Sequence, residues 1–437
     1  MKKNRLFLFI YYAVLLLIML SWRDTKEAPN LIYRCAFLVA AVIPAANYDK
    51  SFLAPVVICF LAICQNGFAH GYMPDNFLFY IALLIPCLMF FKPAKPYFIL
   101  PRYLWFFFIY FSLIDLTTGL SVEKITLTFL VSALLMTFTT SKSRDDIELW
   151  SMCFIICSLS LSSMFLLNRE QFAQAYYYQG LERTTWMDPN YFGMAVGIGY
   201  VVALLRLLGH GKSIGEKINI WYKIIFIVTI VLSLVVLILN ASRGALLAAG
   251  VATIIAITFS KLKMNGKIII VTALIIGLIY LYQNSYFDLL QYRFENENTE
   301  GGNGRSYIWN TKLKAFFNGN PLSMLLGYGY DGGLTLGYNG IKRGTHNDYL
   351  AFLFDYGFIG LCMFVVMLVK PVVEALKARN VRISVYVLMA YLAVCCFTLE
   401  PITGAYIPYL FFYCYIVLIA YSGNKKNKHE ANIIYNR

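Results

Sequence analysis

Charge is what this sequence has least of. Asp, Glu, Lys and Arg together make up 14% of 437 residues, only 23 side chains are acidic, and histidine occurs four times. A soluble globular domain charges about a quarter of its residues, so a water-solvated fold is excluded for most of the chain. A recurring ten-residue alternation of apolar and polar positions is also missing, which favours a helical bundle over a membrane β-barrel. No small-residue cleavage site separates the first apolar run from Asp24, so that run reads as a retained helix and not as a signal peptide. The ten cysteines, among them Cys35, Cys153, Cys157, Cys395 and Cys396, all fall inside apolar runs. They read as small core residues and not as disulfides or metal ligands.

What is present is lipid-soluble chain: 59% of residues are hydrophobic and the mean hydropathy is +0.64. Crossing the hydrocarbon core takes about 20 mostly apolar residues as a helix, and roughly fourteen such runs can be marked, some near the short limit. They lie near 5–21, 31–46, 52–68, 77–91, 101–118, 124–140 and 149–167, then near 190–208, 220–240, 244–260, 267–285, 348–369, 383–399 and 404–422. In lipid each run must satisfy its own backbone hydrogen bonds. The expected fold is therefore all-α, a polytopic membrane bundle of about 12–14 transmembrane helices.

Orientation follows from the excess of cations, a net charge of +14. With the N-terminus inside, one set of loops carries Lys92, Lys95, Arg102, Lys142, Arg144, Arg206, Lys212, Lys217, Lys261, Lys263, Lys267, Lys370, Lys377, Arg379 and Arg382. Short loops rich in Lys and Arg lie on the cytoplasmic side, which puts both termini there. The opposite loops are poorer in cations, and two of them are longer than a connection needs: 168–190 and 284–348. Function is expected on such external segments.

Within the longer one, residues 292–304 are acidic and glycine-rich and read as a lead-in. Residues 305–317 follow with Ile308, Trp309, Leu313, Phe316 and Phe317 at helical spacing, while Arg305, Lys312 and Lys314 project elsewhere. Asn303 can cap this helix, and Asn318-Gly319-Asn320-Pro321 stops it. An aromatic and cationic helix suits a membrane interface that holds lipid diphosphates, or it packs on the bundle as an ordinary loop helix.

The ionisable groups outside the membrane are few enough to name. His346 lies in Lys342-Arg343-Gly344-Thr345-His346-Asn347-Asp348, at the mouth of a helix, where an imidazole beside Asn and Asp can take a proton near pH 7. Arg243 opens a helix as Ser242-Arg243-Gly244-Ala245, and a guanidinium at bilayer depth either snorkels or meets an anion. Arg183 and Asp188 fall in Arg183-Thr184-Thr185-Trp186-Met187-Asp188-Pro189-Asn190, where Asp188 or Asn190 can cap the next helix. Asp115, Asp355 and Glu400 read as groups that pair or cap inside the bundle. Several arginines, a histidine and a carboxylate on one side of a basic bundle suit an anionic, lipid-linked substrate.

Asp188-Pro189-Asn190-Tyr191-Phe192, Ser242-Arg243-Gly244, Gly304-Arg305 with Ile308-Trp309, Gly327-Tyr328-Gly329 and Thr345-His346-Asn347-Asp348-Tyr349-Leu350 with Gly357 and Gly360 stand in this order. In that order the chain resembles the O-antigen ligase and O-antigen polymerase family of bacterial surface polysaccharide assembly, from about residue 183 to 369. The resemblance implies a GT-C-like membrane glycosyltransferase, metal-independent and inverting, that takes glycan from undecaprenyl diphosphate outside the cytoplasm. It implies no cofactor and no nucleic-acid partner. By position it implies that His346 acts on the acceptor hydroxyl and that Arg243 and Arg305 hold the diphosphate, with Arg183, Arg343 and Asp188 as secondary candidates.

The resemblance divides the chain into N-terminal helices (1–167), a ligase or polymerase core (168–370) including the external loop 286–347, and C-terminal helices with a basic cytoplasmic tail (371–437). It favours a repeat-unit polymerase. The alternatives are a ligase that transfers glycan to lipid A-core and, in another class, a flippase for lipid-linked saccharide. Against the flippase, no internal repeat is found. Expected partners are the lipid-linked donor, a glycan or lipid A-core acceptor and membrane lipids, with a chain-length regulator as a further candidate. The expected location is the inner membrane, with the site on the periplasmic or external face.

Overall fold

A computed structural model describes residues 101–117, 145–167, 189–210, 220–288, 290–291, 304–378, 380–404 and 409–421. Among these residues helix is the only regular element. In chain order the helices are α1 (Arg102–Thr117), α2 (Asp145–Leu167), α3 (Pro189–Leu207), α4 (Ile220–Leu239), α5 (Arg243–Thr258) and α6 (Met264–Gln283). They continue as α7 (Arg305–Phe317), α8 (Pro321–Leu326), α9 (Gly332–Thr335), α10 (Asp348–Leu376), α11 (Arg382–Thr398) and α12 (Tyr409–Tyr421). Four are long and apolar enough to cross a membrane, namely Asn190–Leu207, Ile220–Leu239, Met264–Gln283 and Asp348–Leu376. The protein is an all-α polytopic membrane protein, and each expected run from 190 to 422 has its helix, as do those near 101 and 149. The runs near 5, 31, 52, 77 and 124 lie outside the described residues.

The bundle is organised around α3, which packs against α2, α4, α5 and α11. Lipid gives apolar helices little hydrophobic reason to associate, so close backbone approach and internal hydrogen bonds must hold them together. Glycine supplies the approach: a Cβ on Gly199 would lie 2.1 Å from Ser158 Cβ, and one on Gly197 would lie 2.2 Å from the Tyr391 hydroxyl. The polar contacts sit in the same places. Ser158 donates to Val196 O at 2.7 Å and Tyr391 to Met194 O at 2.6 Å. On α5 the buried face is Ala245, Ala248, Ala249, Ala252 and Ala256, small enough to lie flat on α3 and α11.

α12 fills the centre and is buried from Tyr409 to Ala420. Its tyrosines tie four helices together: Tyr409 donates to Tyr191 O at 2.7 Å, Tyr413 to Met367 O at 2.9 Å, and Tyr415 shares a 2.6 Å bond with Ser151. Five of the described cysteines are buried as expected, but Cys362 is exposed on the outer side of α10. α6 turns nearly all of its apolar surface outward, as lipid permits.

α10 contains the main irregularity. Gly357 has φ 69° and ψ −168°, a conformation essentially restricted to glycine, and the helix breaks there. The break frees the carbonyls of Phe354 and Asp355, which accept from Tyr328 N at 3.0 Å and Gly329 N at 2.8 Å. The Gly327-Tyr328-Gly329 motif is thus explained as the strap that docks the external segment onto α10.

Candidate active site at one end of the bundle

The ends of α3, α4, α5, α7, α10 and α11 meet at one pole. The turn from α4 to α5 is tight, and Ala241 takes a left-handed φ of 50° to make it. Ser242 caps α5 by accepting from Ala245 N, and its hydroxyl donates to Asn190 Oδ1 at 3.2 Å. Asn190 therefore lies within the first turn of α3 and reaches across to the neighbouring turn, where the sequence had offered it as a cap. A Cβ on Gly193 would lie 2.8 Å from Asn240 Nδ2 and 3.0 Å from Ser242 Cβ. The Asp-Pro-Asn-Tyr-Phe and Ser-Arg-Gly motifs are thus neighbours in space.

Thr398, the last residue of α11, connects them to the external segment. A Cβ on Gly244 would lie 2.6 Å from Thr398 Oγ1, and Arg305 Nη1 donates to Thr398 O at 2.8 Å. Arg243 and Arg305 therefore start helices that touch the same final turn of α11, both half-buried. Helix α7 is preceded by Gly304, which has a left-handed φ of 73° and contributes no side-chain cap. Asn303, the expected cap, lies outside the described residues, and the capping position belongs to Gly304. The N-terminal dipoles of α5 and α7 add positive potential beside the two guanidiniums. Such a pairing suits a diphosphate.

The His346 loop lies against the same turn. Trp309 of α7 donates to Thr345 O at 2.7 Å and packs edge-on against Phe397, with centroids 6.2 Å apart. Glu400 Oε1 accepts from Thr345 N at 2.7 Å and from the Thr345 hydroxyl. His346 has a φ of 50°, a left-handed backbone that a non-glycine residue rarely adopts. Among the described residues, Ala241 and His346 are two of five such non-glycine positions, and both are at this pole. Next, Asn347 caps α10 by accepting from Leu350 N. Asp348 is fully buried and accepts from Ile402 N, Thr403 N and the Thr403 hydroxyl at 2.9, 2.9 and 2.6 Å. The 399–404 turn is thereby fastened to the start of α10.

One expectation is corrected. Lys312 does not project away from the bundle: it is fully buried, donates to Gly333 O and to Leu334 O (3.0 Å), and lies over the Tyr338 ring. Burial lowers its pKa to about 8, with Asp355 and Glu400 opposing the shift. α7 is packed on the bundle through Phe316 against Phe354 and Trp309 against Phe397, as the loop-helix reading has it. Tyr307 and Phe317 remain on its exposed face.

Asp115 and Asp355 are held by hydrogen bonds inside the fold. Asp115 accepts from Tyr330 N at 3.2 Å, and Asp355 accepts from Gly333 N at 2.8 Å. Arg343 has an exposed side chain three residues before His346 and enters the structure through its backbone, which donates to Leu334 O at 2.8 Å. Arg183 and Asp188 lie outside the described residues. Among the described residues no group of three or more His, Cys, Asp or Glu side chains is placed to hold a metal ion.

Residues 228–365, from α4 into α10, match the sequence model of the family described as O-antigen ligase. The chain carries an O-antigen ligase family domain. That domain contains Arg243, Arg305, Arg343 and His346, while Arg183, Asp188 and Glu400 lie beyond its bounds. No curated protein matches the chain. An O-antigen ligase domain in an all-α membrane bundle makes this a membrane enzyme of the glycosyl-transfer kind, of O-antigen ligase or polymerase type.

The sequence reading missed three members of the site. Thr345 and Trp309 stood inside quoted motifs without a role, and Glu400 was set aside as a bundle cap. The available signal was topological: the run 383–399 leads outward, so Glu400 emerges on the same side as His346.

Proposed function

We propose that the protein polymerises repeat units of a bacterial surface polysaccharide, transferring glycan from undecaprenyl diphosphate to the end of another lipid-linked glycan. The observation that carries this reading is the meeting of Arg243, Arg305 and the His346 loop at the last turn of α11, inside or bordering the O-antigen ligase domain. Two guanidiniums and the dipoles of α5 and α7 suit the charge that grows on the diphosphate as the glycosidic bond breaks. His346 takes the proton of the acceptor hydroxyl. Attack from the face opposite the diphosphate inverts the anomeric centre and needs no metal. Arg183, Arg343 and Asp188 are assigned to substrate binding around this pair. The core is taken as residues 168–370, flanked by helical regions 1–167 and 371–437.

The pole that carries the site is the periplasmic or external face of the inner membrane. The opposite helix ends carry Arg206, Lys261, Lys263, Lys267, Lys377 and Arg382, which belong on the cytoplasmic side. The test is polysaccharide banding on gels from a deletion strain complemented with wild type, His346→Ala, Arg243→Ala or Arg305→Ala, with membrane levels checked. Core plus one repeat unit in the deletion, not restored by the variants, supports the polymerase. Bare core with accumulated lipid-linked polymer replaces it by the ligase reaction, and full ladders from all three variants overturn the site.

A further inference from the structure

Glu400 presents its two carboxylate oxygens to different tasks. Oε1 is occupied by the backbone N–H and hydroxyl of Thr345, which fixes the carboxylate against the His346 loop. Oε2 faces Gly344 from the other side. A Cβ on Gly344 would sit 3.5 Å from Glu400 Oε2 and 3.8 Å from both Cε1 and Nε2 of His346. The absent side chain of Gly344 therefore marks a gap, bordered by a carboxylate oxygen and an imidazole nitrogen, at the distance of ordinary contact from each. Gly344 keeps the gap open, and His346 is turned to its rim by a left-handed backbone.

We infer that this gap over Gly344 is the subsite for the acceptor sugar, whose attacking hydroxyl donates to His346 Nε2 while a vicinal hydroxyl donates to Glu400 Oε2. The inference rests on the glycosyl-transfer reading and adds to it a carboxylate outside the matched domain. A hydroxyl has one proton to donate, so the imidazole accepts from the attacking hydroxyl and the carboxylate from its vicinal neighbour. In the transfer step the acceptor oxygen bonds to the anomeric carbon of the donor. The bond from that carbon to the diphosphate oxygen breaks, its electron pair leaves with the diphosphate, and the acceptor proton passes to His346. The Glu400 carboxylate stabilises the imidazolium that forms.

The experiment separates an acceptor-binding carboxylate from a mere loop anchor. In Glu400→Gln the amide oxygen can still accept from Thr345 N, so the loop is retained, but the amide nitrogen replaces Oε2 and offers a donor where an acceptor stood. Gly344→Ala adds one methyl group to the gap at ordinary contact distance, so the fold is kept while the hydroxyl is excluded. Both variants, expressed in the deletion strain, are expected to keep wild-type membrane levels and thermal midpoint in detergent while polymer formation falls by about tenfold or more, as lipid-linked single repeat units accumulate. Full polymer from Gly344→Ala, or from Glu400→Gln, overturns the subsite. Loss of polymer accompanied by a lowered thermal midpoint in both variants also overturns it, because Glu400 then acts on the fold. His346→Ala and Arg305→Ala run alongside. If they too make full polymer, the glycosyl-transfer assignment of this pole fails, whereas full polymer from the Gly344 and Glu400 variants alone removes only the subsite.

Discussion

Replacing Gly357 by alanine is expected to detach the external segment from the bundle. At φ 69° and ψ −168° an alanine costs about 1–3 kcal/mol in backbone strain alone. Its Cβ would also lie 2.3 Å from Leu325 O and 2.6 Å from Gly327 N, both backbone atoms that no rotamer change can move. Relieving the overlap takes a displacement of roughly an ångström. That stretches the bonds of 3.0 and 2.8 Å by which Tyr328 N and Gly329 N satisfy the carbonyls freed at the α10 break. Each of those bonds contributes about 1 kcal/mol net. Together the terms come to roughly 3–5 kcal/mol, a large share of the stability of an ordinary domain. In detergent the thermal midpoint should fall by about 3–5 °C and protease sensitivity should rise between Gly319 and Arg343. Gly277→Ala is the control, since α6 has open space at Gly277 and alanine is the better helix former, so its midpoint should hold or rise. A Gly357→Ala protein that melts within a degree or two of wild type would refute the account of the break.

Arg305→Lys is expected to lose polymer formation by roughly a hundredfold although charge is kept, because an ammonium cannot bond Thr398 O and grip a diphosphate as a planar fork does; a ladder assay decides. Asp348→Asn turns an amide N–H toward Ile402 N or Thr403 N and should cost about 2–3 kcal/mol, seen as faster hydrogen exchange across 399–404. Lys312 gives a pH signature. Its pKa is near 8 when folded against 10.5 when unfolded, so between these values the unfolded chain binds more protons and stability rises with pH. The penalty is full below the folded value and fades as pH climbs toward 10.5. The midpoint of wild type relative to Lys312→Met should therefore increase from about pH 7 to about pH 9.5, and a decrease would contradict the burial of this ammonium.

The helices of this protein were legible because lipid makes a simple demand. Any chain segment crossing it must be apolar and must close its own hydrogen bonds, so runs such as 220–240 and 348–369 declare themselves by composition. Charge asymmetry between loops likewise placed Arg243, Arg305 and His346 on one side before their positions were known. Residue order in the motifs was enough to suggest the family. The limits of the reading are also physical. Hydropathy treats Lys312 as a solvated cation because the period of α7 does not reveal that two carbonyls of another segment, Gly333 O and Leu334 O, wait on its buried side. It treats Glu400 as a helix cap because 55 residues separate it from Thr345.

By itself the sequence determined that the chain is an all-α membrane bundle, how its cations are apportioned between loops, and which few ionisable residues share a face. Those properties depend on each segment's own transfer to lipid, which composition records. Tertiary structure alone decided that α11 is the meeting point: Thr398 receives Arg305, abuts Gly244 and is followed by the glutamate that holds Thr345. Such contacts arise from how the helices cross, and crossing is set by glycine and alanine faces on α3 and α5 that look, in one dimension, like any other apolar run.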